Sequence, residues 1–229
     1  MKKWLIFLSL VALCLTFAGC GQNNYKILLN NASELRYNLF VGENNNLYAT
    51  YMSGQREEPY VSDGIKNTLQ DFGVLTLKFK SNVSVNEVQA EITIDGHTYT
   101  AVLEKNPYEL NSYACDIEVL VGNEANISFV YVVNNVANKV DMAYAQSDWQ
   151  VDCLGALQKA SSELVSFIEK HKTGNKLQAE VFVKIAFDST NDLKPYFWLV
   201  QIVAADGTSS QLVIDPLNNE VLVKTNAVG

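Results

Sequence analysis

Across residues 25–145 apolar and polar side chains alternate with a period of two, interrupted by polar turns. Leu35-Arg36-Tyr37-Asn38-Leu39 alternates cleanly, and residues 47–52 follow the turn Gly42-Glu43-Asn44-Asn45-Asn46. Residues 74–80 put Leu75, Leu77 and Phe79 on one side. Residues 88–94 and 98–103 flank Asp95-Gly96, a strong hairpin signal because both turn positions tolerate positive φ. Residues 115–121 and 127–133 flank Gly122-Asn123-Glu124. Alternation of this kind marks strands buried on one face. Seven short strands at this spacing predict a β-sandwich, immunoglobulin-like in architecture but without the Cys–Trp–Cys pattern of antibody domains.

The period changes near 143–147. Ser147-Asp148-Trp149-Gln150 fits a capping box, and Leu154, Leu157, Ser161, Leu164, Val165 and Ile168 then fall on one helical face. Lys170, His171 and Lys172 suit the negative end of a helix dipole, and Gly174 supplies a stop. The spacing predicts one helix over 148–172. Val181, Val183, Ile185 and Phe187 alternate next, followed by the apolar run 196–204, the turn Asp206-Gly207, residues 210–214, the turn Asn218-Asn219, and residues 221–224. The expected fold class is therefore α+β: an N-terminal all-β sandwich over 25–145, then one helix packed on an antiparallel β-meander over 146–229. If Val181, Val183, Ile185, Phe187, Tyr196, Trp198, Val200 and Ile202 pack on the helix, then Phe182, Phe197, Leu199, Val213 and Leu222 point the other way. That second face is apolar where a one-sided sheet is polar, so it needs a cover: the neighbouring sandwich, a second copy or a partner.

The N-terminus reads as an export address. Lys2 and Lys3 precede an uncharged run over 4–17, too short to span a bilayer comfortably, and small residues lead into Cys20. Phe17-Ala18-Gly19-Cys20 resembles the lipobox of bacterial lipoproteins, with Phe17 in place of the usual Leu. The resemblance implies a signal peptide over 1–19, cleavage before Cys20 and a diacylglycerol thioether on its sulfur. Residues 20–24 would then form a tether of roughly 15 Å, and the protein would sit at the cell membrane on its extracytoplasmic face.

A second resemblance covers about 148–225. Tyr196-Phe197-Trp198-Leu199-Val200, Asp206-Gly207, Val213-Ile214-Asp215-Pro216 and Val221 are similar to the PepSY module, which pairs an aromatic strand with a DG hairpin and a V-D-x-x-T-G-x-V ending. Asn218-Asn219 stands where that pattern has Thr-Gly. PepSY-like modules are linked to peptidase inhibition and cell-envelope interactions, so the resemblance implies binding or regulation rather than catalysis.

Charge narrows the partners. The chain carries 17 Lys and Arg against 25 Asp and Glu, a net charge of −8. Loss of Lys2 and Lys3 with the leader leaves 15 against 25, a net −10. Nucleic acid is therefore not an expected partner, and no polybasic cluster grips anionic lipid. Outside the cytoplasm Cys115 and Cys153 are candidates for a disulfide, or else two separate buried thiols. His97 and His171 are far apart, and no metal site, cofactor or catalytic motif is expected. The turn-rich stretch 54–60, with Asp63 beyond it, places Arg56 and Tyr60 beside Glu57 and Glu58, a candidate recognition loop because Arg and Tyr are favoured at interfaces. The leading expectation is a non-enzymatic envelope lipoprotein that binds a protein, peptide or envelope polymer. The alternatives are a cell-wall glycan or peptide hydrolase using paired carboxylates, and a structural spacer in an envelope assembly.

Overall fold

A computed structural model of the chain describes residues 23–61, 66–133, 135–188 and 196–227. Residues 1–19, Cys20 and Asp63 lie outside them. The fold divides into two compact units. One comprises Arg36–Arg56 and Leu69–Trp149; the other takes the residues up to Leu35, Glu57–Thr68 and everything from Gln150.

The first unit is a closed antiparallel barrel, not a sandwich. Its strands are β1 (Ala32–Glu43), β2 (Leu47–Glu57), β3 (Leu69–Phe79), β4 (Glu87–Ile94), β5 (His97–Lys105), β6 (Ser112–Ile117), β7 (Ile127–Val133) and β8 (Val136–Tyr144). Around the barrel they run β1-β2-β3-β6-β5-β4-β7-β8, and β8 returns to β1. The order β7-β4-β5-β6 is a Greek key. Closure rests on Phe40 opposite Tyr144 and Val41 opposite Ala143. Alternation along a strand says that one face is buried; it does not say whether the sheet buries that face on another sheet or on itself. The decisive strand is β8, where only Val140 and Met142 of nine residues are buried, so its pattern does not announce it. Gly42 makes the seam possible, since a Cβ there would stand 2.7 Å from the Asp141 carbonyl oxygen and 2.8 Å from Val140 Cγ1.

Side chains fill the barrel interior, as expected for eight strands. Phe79 meets Tyr113 and Tyr131 edge-on at 5.6 and 5.8 Å between ring centroids. Buried tyrosines need a polar partner for the hydroxyl. Tyr51 donates to the Val119 carbonyl at 2.7 Å, Tyr113 to that of Val85 at 2.8 Å, and Tyr131 accepts from Asn44. The Asp95-Gly96 hairpin forms as expected, with φ of 48° and 83°.

The first described residues of the second unit, 23–30, form helix α1, so Asn23 and Asn24, expected in the tether, are helical. Residues Ala32–Leu35 of β1 pair in parallel with β11 (Ala179–Phe187). The expected helix over 148–172 is two segments, α2 (Cys153–Glu163) and α3 (Val165–His171), broken at Leu164 with φ −102° and ψ 24°. The cap is Asp152, whose carboxylate accepts from the Gly155 amide at 2.7 Å, and not Ser147. Instead the amides of Gln150 and Val151 both reach the Pro216 carbonyl, at 2.8 and 3.2 Å, which holds this stretch extended. The tiny strands β9 (Lys172–Thr173) and β10 (Lys176–Leu177) follow, turned by Gly174 at φ 62°. Then β11, β12 (Tyr196–Ala204), β13 (Ser209–Asp215) and β14 (Glu220–Ala227) form an antiparallel meander. Gly207 (φ 83°) and Asn219 (φ 60°) make its turns. Among the described residues the expected single helix on a meander is thus replaced by three short helices and a sheet extended by a parallel strand.

Candidate functional site

The meander has two unlike faces. Val181, Val183, Ile185, Trp198, Val200, Ile202, Leu212 and Ile214 are buried, and α2 packs on β11 and β12. The Trp198 indole anchors the arrangement by donating to the Val151 carbonyl at 2.8 Å. Tyr196 is half-buried, and Phe187, expected on the same face, is exposed.

The opposite face carries Phe182, Phe197, Leu199 and Val213, all half-buried. Register assembles them: Leu199 stands between Lys184 and Val213, Phe197 faces Ala186, and Phe182 faces Gln201. Val213 faces Val223 on β14, not Leu222, because the β13–β14 register shifts between Val213 and Ile214. Leu222 is the residue left unpaired by this bulge, a local irregularity that alternation along the chain does not reveal, and it is exposed.

The segment after β2 reaches this face. The Tyr60 hydroxyl donates to Glu180 Oε2 at 2.6 Å, and its ring meets Phe182 edge-on at 6.0 Å. On the other side Lys184 Nζ lies 5.0 Å from the Phe182 ring centroid and 3.1 Å from Glu34 Oε2. Phe182 is therefore flanked by a tyrosine and a paired cation, and Glu180 is buried with Tyr60 as a donor. Two candidate features of the sequence, Tyr60 and the second face of the meander, meet here.

The rest of the expected loop does something else. Residues 54–57 belong to β2. Arg56 is held in the barrel unit by Asp116 Oδ2 at 2.8 Å and stacks over Phe72 at 4.8 Å. Glu57 is 2% exposed and accepts the Asn67 amide at 2.8 Å, so it is a buried structural acceptor rather than a solvent-facing acid. Glu58 is exposed.

The thiols are free. Cys115 lies half-buried on β6 and Cys153 buried at the start of α2. Burial, helped by neighbouring Asp116, pushes the Cys115 thiol up to about 11. Burial and Asp152 push Cys153 higher still. Both stay neutral near pH 7, which suits packing and not nucleophilic chemistry.

Periodicity missed one polar cluster. His171 Nε2 lies 3.2 Å from Thr208 Oγ1, which donates to Asp206 Oδ1 at 2.6 Å. A hydroxyl, an imidazole and a carboxylate suggest a nucleophilic triad, but the order is wrong. The carboxylate takes the hydroxyl proton and stands 4.0 Å from His171 Nδ1, whereas a triad needs the imidazole to take it. The Thr208 hydroxyl and amide hold the Asp206 carboxyl below its ordinary range, aided by the charges of His171 and Lys170. The cluster is a clasp on the β12–β13 turn. His97 opens β5 and is exposed. Among the described residues no group of three or more His, Cys, Asp and Glu is placed to hold a metal, and no helix is long and apolar enough to cross a membrane.

Comparison of the chain with protein-family models, with curated proteins and with solved structures finds no match in any of the three, so its functional reading stands on these residues.

Proposed function

We propose that the chain is a lipid-anchored, extracytoplasmic binding module whose ligand is a protein or peptide taken by the second face of the meander. One observation carries this reading: Phe182, Phe197, Leu199 and Val213 keep part of their surface open while Val181, Val183, Trp198, Val200, Ile202, Leu212 and Ile214 on the opposite face of the same strands are buried. Aromatic and aliphatic side chains on a hydrogen-bonded sheet, edged by Lys184 and Tyr60, supply area without mobility, which is what interface anchors do. The likeness of residues 148–225 to a PepSY module supports a binding or regulatory role. The lipobox-like Phe17-Ala18-Gly19-Cys20 supports the membrane address.

The test is in-situ crosslinking in intact envelopes followed by co-purification, comparing the unaltered protein with Phe197→Asp and Leu199→Asp. One specific partner, released by both substitutions while circular dichroism stays native, is the expected result. Unchanged recovery of that partner with both variants folded would sink the assignment of the face. The address is checked separately by the mass of the N-terminal peptide, which carries diacylglycerol on Cys20 if the reading is right.

A further inference from the structure

The connection between β5 and β6 is Asn106-Pro107-Tyr108-Glu109-Leu110-Asn111. Tyr108 is 96% exposed and Leu110 84%; of the other large apolar side chains described, none exceeds 59%. Scattered exposed apolar residues need no explanation, but these two share one short tip, and the tip is braced. The Tyr108 amide donates to Asn106 Oδ1 at 3.0 Å, closing an Asx turn. The Asn106 amide donates to the Ser112 carbonyl at 2.8 Å. Asn111 takes φ 59°, and its carbonyl accepts the Phe79 amide at 2.9 Å. Pro107 fixes its own φ. Glu109, between the two apolar residues, folds back to Lys78 Nζ at 2.5 Å. The one acid of the tip is thereby neutralised, and Tyr108 and Leu110 are left projecting.

We infer that this tip is a second membrane contact: Leu110 enters the acyl region of a bilayer and Tyr108 lodges at headgroup level. The shape selects a bilayer over a protein. A stable protein interface buries about 800 Å² on each side and surrounds its anchors with a rim that excludes water. A convex tip of six residues offers neither, whereas a bilayer accepts protruding side chains one at a time and places tyrosine at its interface. Charge selects the means. With a net −10 after leader removal and no basic cluster, the protein draws nothing from anionic headgroups, so apolar insertion is the contact open to it. The ordering of the loop is complete before contact, which lowers the entropy lost on insertion. This inference goes beyond the binding role of the meander and rests only on the membrane address.

The test uses the protein purified from membranes of cells that express it and reconstituted in phosphatidylcholine–phosphatidylglycerol vesicles with brominated acyl chains. Tryptophan is introduced as Tyr108→Trp, and as Val136→Trp at another exposed barrel position. Fluorescence of the unsubstituted protein is subtracted, and vesicle flotation is measured on the same samples. The expected result is bromine quenching at position 108 and not at 136. Adding Leu110→Asp should lower the inserted fraction of the tip on the order of tenfold, the ratio expected for losing one leucine side chain from the acyl region. Protein that floats while position 108 stays as unquenched as 136 overturns the tip and leaves the anchor standing. Protein that does not float overturns the anchor, and the tip with it.

Discussion

The barrel and the meander solve the same problem differently. Most strands of both have an apolar side to bury. In the barrel the sheet closes on itself, so all inward residues share one core and the outward ones alternate as polar or exposed. In the meander α2 covers one side, and the other is left half-open with Phe182, Phe197, Leu199 and Val213 on it. A closed sheet has no spare face; an open one does. That is why the candidate binding surface lies on the open sheet and why the barrel offers loops instead.

The difference can be attacked by mutation. The largest effect belongs to Trp198→Ala, which removes a fully buried indole and its hydrogen bond to Val151. We expect a loss of about 3–5 kcal/mol, read by urea unfolding followed through far-ultraviolet circular dichroism. Phe197→Ala, one residue away on the open face, should cost about 1 kcal/mol or less. Equal costs would mean that the two faces are equally buried and would end the comparison. Gly42→Ala attacks closure, because the added methyl meets the Asp141 carbonyl across the β1–β8 seam. A loss of about 1–3 kcal/mol is expected, with hydrogen exchange accelerated first in β1 and β8. Asp152→Ala strips the cap of α2 and should cost about 1 kcal/mol; a neutral result would show that packing alone holds the first turn.

The remaining effect is electrostatic and appears only at alkaline pH. Burial raises the Cys115 thiol from its ordinary 9.0 to about 11, so the folded state holds this proton more tightly than the unfolded chain does. Its contribution to stability is complete below about pH 9 and is lost as pH rises to about 11. Tyr51 and Cys153 are raised in the same direction, chiefly by burial. Urea midpoints should therefore fall above pH 9, and Cys115→Ala should flatten the first part of that fall. A slope unchanged by the substitution would show that the thiol is not linked to folding.

Local chemistry was legible in the chain wherever it acts over a few residues. Asp95-Gly96, Asp206-Gly207 and Asn218-Asn219 are turns because Gly and Asn reach positive φ, and the strands between them follow from alternation. The helical period after 150 was legible, but its start was not: the pull of the Pro216 carbonyl on Gln150 and Val151, from 66 and 65 residues away, outweighs the capping box at Ser147. Of the site, the apolar row on β11 to β13 was legible from alternation. That Tyr60 would reach Glu180 and Phe182 was not, because nothing local links residues 120 apart.

The sequence by itself thus determined which residues turn, which alternate and which apolar positions demand a cover. Only the tertiary structure decided that the first sheet closes into a barrel through the weakly patterned β8, that Arg56 and Glu57 serve their own units while Tyr60 joins the meander's open face, and that Tyr108 and Leu110 stand clear of the barrel core. The physical reason is common to all of these. Periodicity reports how a residue's neighbours in sequence are buried, whereas closure, register shifts and exposure at a loop tip depend on contacts between residues far apart along the chain.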